Sequence, residues 1–435
     1  MKSKHLLATA ALCLAATASS AQHSNQWYAQ QILGSTLMNK VDSMACRVIS
    51  SGFNAGDGYG EVWIRDYNTF IELSMELLPD EQVRHNLNVF WGFQEENGEI
   101  VDGFIDIKKS LTSGIPYNYR HSKLEPNYAA HKNTVETDQE TSLIQAIFKY
   151  VKKSGNRAYL NTVIGGRTVT QRMADALNYL FTEKYSDQYG LITGATTADW
   201  GDMQAENTWG VMLNDDTHHA IDIYDNAMLV IALDNYVELL DGAPEAARWK
   251  KACTQLRRNI RKHLWDKKKQ KFIPHIYLNG SPFPDDFDEN QIYYHGGTAV
   301  AIQAGLLSKK EIREANARML QNVKDAGAQT IGLTMYPAYP TGMFKGIGMD
   351  AYCYQNGGDW TWFGGRMIHA LIDYGMIAEA YDELQPMLQR VIENNGFYEW
   401  YTPAGQPMGS GTFRGEAGVL QRANAMLRQW ARQQQ

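Results

Sequence analysis

Apolar positions recur at i, i+3, i+4 and i+7 in segments near 26–50, 62–78, 138–154, 168–183, 223–240 and 245–264. The same spacing continues near 297–307, 309–323, 361–375, 377–394 and 415–431. Each segment lays an apolar stripe along one face of a helix, so eleven helices are predicted. A twelfth fits 80–95, with Asp80 as N-cap ahead of Asn88-Val89-Phe90-Trp91. Strand-like runs are few and short, Lys271-Phe272-Ile273-Pro274-His275 among them. No composition shift or Pro/Ser-rich linker divides 22–435, and no repeat of roughly 30–45 residues marks a solenoid. The expectation is one all-α domain, an (α/α)6 toroid of six helical hairpins with a few short strands in its loops.

The first 21 residues break this pattern. Lys2 and Lys4 precede an apolar run from Leu6 to Ala16, and Ser19-Ser20-Ala21 supplies small residues for cleavage. That is the layout of a secretory signal peptide, which predicts a periplasmic or secreted protein cut after Ala21. Cys13 invites a lipoprotein reading, but Ala11-Leu12 makes a poor lipobox. No later stretch reaches the ~18 apolar residues of a membrane span. Cys46, Cys253 and Cys353 form neither a disulfide framework nor a zinc motif. With 41 Lys+Arg against 48 Asp+Glu, a net charge of −7 and no basic block, nucleic acid is an unsuitable partner.

Candidate chemistry sits in the loops, several of which combine Gly, Trp and carboxylates. They are Asp57-Gly58-Tyr59-Gly60-Glu61-Val62-Trp63-Ile64-Arg65-Asp66, Asp199-Trp200-Gly201-Asp202, Gln355-Asn356-Gly357-Gly358-Asp359-Trp360-Thr361-Trp362 and Phe397-Tyr398-Glu399-Trp400-Tyr401-Thr402-Pro403. Carboxylates framed by aromatic rings, with few cations, suit glycosidic bond cleavage. One acid must be kept protonated to serve the leaving oxygen, and a second must be ionised to activate water or attack. Asp199 and Asp202 bracket Trp200 closely enough to share a pocket, and either could be the acid. Glu399 lies between Tyr398 and Trp400. Arg65-Asp66 could grip sugar hydroxyls or form a structural ion pair, and Asp359 could touch substrate or cap the helix at 361. Glu136-Thr137-Asp138-Gln139-Glu140, His218-His219 and Asp285-Asp286-Phe287-Asp288-Glu289 are weaker, reading as a helix start, a solvated loop and a charged surface loop. No G-x-S-x-G, P-loop or dinucleotide fingerprint occurs, and neither cofactor nor metal is expected.

In chain order these loops resemble those of the six-hairpin, (α/α)6-barrel glycosidases, a group of alkaline invertases, processing α-glucosidases, trehalases and disaccharide phosphorylases. Tyr59-Gly60-Glu61-Val62-Trp63-Ile64-Arg65-Asp66 is similar to their early W-x-R-D or F-I-R-D substrate motif. Asp199-Trp200-Gly201-Asp202 resembles the phosphorylases' D-W-N-D, whose second Asp is the general acid, which implies that role for Asp202. Asn356-Gly357-Gly358-Asp359-Trp360 resembles N-G-G-x-W. Glu399-Trp400-Tyr401-Thr402-Pro403-Ala404-Gly405 resembles the α-glucosidases' E-x-Y-x-P-x-(T)G, whose Glu is the general base. Departures are Gly201 in place of Asn, Arg414-Gly415-Glu416 in place of an aromatic-Trp-Ser, and no counterpart of the phosphorylases' N-terminal β-domain.

The resemblance implies an inverting, exo-acting hydrolase of oligosaccharides, α-linked ones foremost, with Asp202 as acid and Glu399 as base about 6.5–9.5 Å apart. Asp199 stays the alternative acid. Trp63, Arg65, Asp66, Trp200, Asp359, Trp360, Trp400 and Tyr401 are the expected sugar contacts. Alternatives are a sugar epimerase, for which His131, His275 and His295 stand in plausible loops, an unsaturated-uronide hydrolase, and a non-catalytic glycan-binding protein.

Overall fold

The computed structural model describes residues 23–112, 117–132 and 135–435; the leader expected over 1–21, with Cys13, lies outside them. The chain begins with α1 (Asn25–Gly34), α2 (Thr36–Ser50), α3 (Ile64–Leu77), α4 (Asp80–Gly92) and a single turn, α5 (Ile107–Ser110). It continues through α6 (Gln139–Ser154), α7 (Val169–Glu183), α8 (Ile223–Leu240), α9 (Ala246–His263) and α10 (His295–Gln303). The last four are α11 (Lys309–Ala326), α12 (Thr361–Asp373), α13 (Ile377–Glu393) and α14 (Arg414–Arg432).

Helix ends fall where the sequence satisfies the free N–H and C=O groups of a terminal turn. Thr168 with Gln171, and Ser308 with Glu311, form reciprocal capping boxes at the starts of α7 and α11. Gly155 and Gly327 close α6 and α11 in the left-handed conformation. The segment expected as one helix over 26–50 is two. Ser35 adopts an extended conformation and its hydroxyl accepts from Met38 N at 3.2 Å, which ends α1 and starts α2. Asp80 is the first helical residue rather than the cap, and its carboxylate is taken by Arg84 at 2.6 Å and Tyr150 at 2.7 Å.

Burial separates two classes of helix. In α9 the buried side chains Trp249, Cys253, Leu256 and Ile260 form one stripe, whereas α8 and α10 are buried on nearly every side. The fully buried class is the inner ring. α3, α6, α8, α10, α12 and α14 pack in that order and α14 returns to α3, while α2, α4, α7, α9, α11 and α13 pack outside them. The expected (α/α)6 toroid is therefore present. At Gly418 a Cβ would fall 2.5 Å from Phe70 Cβ, so a side chain there would force α14 off α3.

Each connection from an outer helix to the next inner one is long: 51–63, 93–138, 184–222, 264–294, 327–360 and 394–413. Those leading back out are mostly short: 78–79, 155–168, 241–245, 304–308 and 374–376. Alternation of helix direction puts all six long connections at one end, over the N-termini of the inner helices. The short strands lie mainly in these connections and stitch them together. Among the described residues no helix is long and apolar enough to cross a membrane.

Candidate active site

The first long connection ends in β1 (Val62–Trp63), which pairs antiparallel with β2 (Gly103–Asp106), itself paired with β3 (Tyr128–His131). Trp63 stands opposite Gly103, and a Cβ on Gly103 would lie 2.5 Å from the Trp63 ring. This register carries Asp102 of the second connection to Arg65 and Asp66 in the first turn of α3. There Arg65 is held by Glu136 and, through Nε at 2.7 Å, by Asp138. Tyr224 donates to the same Asp138 oxygen at 2.6 Å.

Asp66 and Asp102 line a cavity of about 300 Å³ whose wall also includes Asp202, Glu399, Arg65 and Glu136. Aromatic rings make up much of the rest: Tyr59, Trp63, Tyr117, Trp200, Trp209, Tyr354, Trp360, Trp362 and Phe413. Burial pushes Asp66 up to about 8, with Arg65 opposing and Glu399 adding to the shift. Burial likewise raises Asp102 to about 7. Such a site holds protons on carboxyl groups at neutral pH because little water reaches them.

The third connection separates the two Asp candidates flanking Trp200. Asp199 takes a left-handed backbone (φ 58°) and is turned away from the cavity. Its Oδ1 accepts from Gly297 N at 2.8 Å, in the first turn of α10, and a Cβ on Gly296 or Gly297 would collide with that carboxylate. Asp199 thus serves a backbone N–H in the first turn of α10, whereas Asp202 faces the cavity. Gln355 of the fifth connection grips Asp202 twice: its amide donates to Oδ1 at 2.7 Å and its carbonyl accepts from Asp202 N at 3.1 Å.

Glu399 comes from the sixth connection, where Glu399 N donates to Ser410 O at 3.0 Å. Its Oε2 accepts from Tyr59 at 2.6 Å and from Ser410 N at 3.3 Å. Asp57 locks the opposite strand, accepting from the Ser410 hydroxyl and, at 2.8 Å, the Thr412 hydroxyl. The first and sixth connections are thereby tied together around Glu399. Burial raises its carboxyl, the Asp202 charge adds to this, and the Tyr59 and Ser410 donors oppose it.

Trp200 packs edge-on against Trp360 and Trp362, with centroids 4.8 and 5.5 Å away, and all three reach the cavity. Three expected sugar contacts lie behind its wall instead. Asp359 is fully buried and accepts from Thr330 Oγ1 at 2.7 Å and Arg390 at 2.8 Å. Tyr401 lies under the Arg390 guanidinium, 3.7 Å from its centroid. Trp400 packs beneath Gly358 and Tyr354. Asp359 with Tyr401 is a structural correction to the sequence expectation: their backbones pair reciprocally at 2.9 and 2.8 Å, and the carboxylate neutralises Arg390. The Asp285–Glu289 loop also differs from expectation, because Glu289 turns inward to His275 at 2.8 Å.

Asp102, Tyr117, Trp209 and Val211 line the cavity without belonging to any singled-out motif, while Gln355 stood inside one without a role. None of the three candidate histidines lines it. His131 stacks on Tyr117 at 3.9 Å, His275 pairs with Glu289, and His295 bonds Asn322 at 2.9 Å.

Known proteins share this fold. The mannosylglycerate hydrolase of Thermus thermophilus, a GH63 enzyme, superposes with TM-score 0.60 at 14% identity, over 88% of this chain and 99% of that one. A rhamnosidase from Klebsiella oxytoca gives 0.59 at 13%, over 89% of this chain and 63% of that one. The GH78 rhamnosidase of Bacillus sp. GL1 gives 0.57 at 15%, over 89% and 34%. These likenesses establish the shared barrel. A search of curated proteins finds no match. The family model described as the glycosyl hydrolase 94 superfamily catalytic domain matches residues 19–418, so the chain belongs to that superfamily of six-hairpin glycosidases.

Proposed function

We propose that the protein is an exo-acting, inverting glycoside hydrolase in which Asp202 protonates the leaving oxygen and Glu399 draws the proton from an attacking water. One observation carries this reading: Asp202 and Glu399 come from different connections, face one aromatic cavity, and are each fixed by a neighbour, Gln355 and Tyr59. Carboxylates carried by separate connections into one cavity suit an acid and a base that act on the two sides of a glycosidic bond. A volume near the lower end of ligand pockets favours a terminal residue of a short oligosaccharide over a polymer chain, and the resemblance to α-glucosidases favours an α-linked one. Asp66, another carboxyl group of the cavity wall, would accept from hydroxyls of that residue.

Water is favoured over phosphate as acceptor. Arg65 is the cavity's one cation among the described residues, and Glu136 and Asp138 already occupy it. A phosphate or uronate would enter a site crowded with carboxyl groups and lacking a free counter-charge. This also argues against the unsaturated-uronide reading, and the absence of a lining histidine among the described residues argues against the epimerase. The leader composition of 1–21 supports export to the periplasm or beyond.

The test is product analysis on a panel of α- and β-linked oligosaccharides, with and without phosphate. Free sugar of inverted anomeric configuration by NMR, independent of phosphate, is the expected result. Turnover that survives both Asp202→Asn and Glu399→Gln would overturn the assignment. Sugar binding with no turnover on any glycan would favour the binding-protein reading.

A further inference from the structure

The inner helices enclose a second cavity, of about 570 Å³, which shares no lining residue with the first. Its wall comes largely from the C-terminal halves of those helices, at the other end of the barrel. It carries five cationic side chains, Lys149, Lys152 and Lys153 of α6, Arg366 of α12 and Arg422 of α14, against two carboxylates, Glu72 and Asp373.

Ion pairs account for three of the cations. Lys152 pairs with Glu238 at 2.6 Å, Lys153 with Glu76, and Arg422 with Glu72 at 3.4 Å. Lys149 and Arg366 hydrogen-bond only to neutral groups and stand in no ion pair, although the Glu72 charge reaches Lys149. Lys149 Nζ donates to the backbone and side-chain oxygens of Asn68 at 2.5 and 2.9 Å. Arg366 Nε donates to Gln303 Oε1 at 3.1 Å, and the residue is 7% exposed. Burial brings Lys149 down to about 8; the Glu72 charge opposes this, and the charges of Arg366 and Arg422 add to it.

A buried cation outside any ion pair is costly, and proteins ordinarily pair it; Arg366 is such a cation, with the half-buried Lys149 beside it on the same wall. The C-terminal dipole of a helix offsets such charge only within its last turn. Arg366 stands two turns before the end of α12 at Asp373, out of that reach. We propose that this cavity binds a compact phosphoryl oxyanion between Lys149 and Arg366, with Arg422 at its mouth. The planar guanidinium fork matches two oxygens of a tetrahedral oxyanion, and the ammonium supplies a point charge beside it. With the carboxylates of the wall and of its ion pairs counted, Glu72, Glu76, Glu238 and Asp373, the five cations keep one positive charge in excess, which favours an anion over a neutral ligand.

The experiment is calorimetric titration of the full chain with inorganic phosphate and with glucose 6-phosphate. Saturable binding of one equivalent is expected, unchanged in Asp202→Asn and weakened at least ~10-fold in Lys149→Met, with glycan turnover retained in Lys149→Met. Tighter binding of phosphate assigns the free ion; tighter binding of the ester assigns a phosphorylated metabolite reaching the mouth. Absence of saturable binding to the wild type overturns the proposal, as does affinity undiminished in Lys149→Met or lost in Asp202→Asn. Should Lys149→Met fail to fold, Arg422→Gln, at the mouth, gives the same reading: weakened binding supports the site and unchanged binding overturns it.

Discussion

Tyr59 donates its phenolic hydrogen to Glu399 at 2.6 Å across 340 residues of sequence, so the first long connection sets the protonation of a group on the sixth. The donor stabilises the carboxylate against a burial that raises it. Tyr59→Phe removes that stabilisation, and a hydrogen bond to a charged group contributes about 1.5–3 kcal/mol. Glu399 then holds its proton to higher pH, and a protonated base cannot accept from water. The acid limb of the kcat/KM profile should therefore move up by roughly one to two pH units. A profile that stays in place in Tyr59→Phe would separate the bond from catalysis.

Gln355 makes the matching contact at Asp202. Its two bonds to Asp202 fix the carboxyl group and the backbone that carries it. Gln355→Leu keeps the bulk but frees Asp202, and misplacement on the scale of 1 Å costs about 100-fold. Steady-state kinetics should show kcat down by roughly 10–100-fold with a smaller change in KM. Direct substitution, as Asp202→Asn or Glu399→Gln, should cost at least ~100-fold.

Asp359 gives the opposite expectation. It has the Gly-and-Trp setting of a sugar contact in sequence, yet Arg390 of α13 takes its carboxylate in a pair that is almost wholly buried. Breaking a buried pair leaves the surviving charge uncompensated, at about 3–5 kcal/mol. Arg390→Met should therefore lower the denaturation midpoint sharply, whereas KM of the folded fraction stays near the wild-type value. A KM raised strongly without loss of stability would restore Asp359 to the substrate.

The same residue shows what the sequence could convey. Helix positions were legible because each apolar stripe is a local pattern, and the ring followed from twelve such stripes without a linker. Motif order singled out Asp202 and Glu399, which the fold brings to one cavity. Asp199 and Asp359 were not separable from them, because the groups that claim them, Gly297 and Arg390, lie 98 and 31 residues away. Asp102 carried no local signal at all. Its place depends on β1, β2 and β3 pairing in one register, a relation between three stretches that periodicity does not encode. Ser35, by contrast, is a readable cap, and the break it makes between α1 and α2 is a local signal masked by a longer stripe.

Glu416 of α14 makes the barrel's stability depend on pH. It is fully buried, and burial pushes its carboxyl up to about 8 despite the opposing charge of Arg390. An unfolded chain releases that proton at about pH 4.3. Between about pH 4.3 and 8 the folded state thus holds a proton that the unfolded state has lost, so this group's contribution falls as pH rises through the window. Glu416→Gln cannot ionise and should escape the decline. The Tm of the variant relative to wild type should accordingly be more favourable at about pH 8.5 than at about pH 5, on either side of most of that window, whatever the offset from altered packing. A Tm difference equal at the two pH values would mean that Glu416 titrates alike in the folded and unfolded chain.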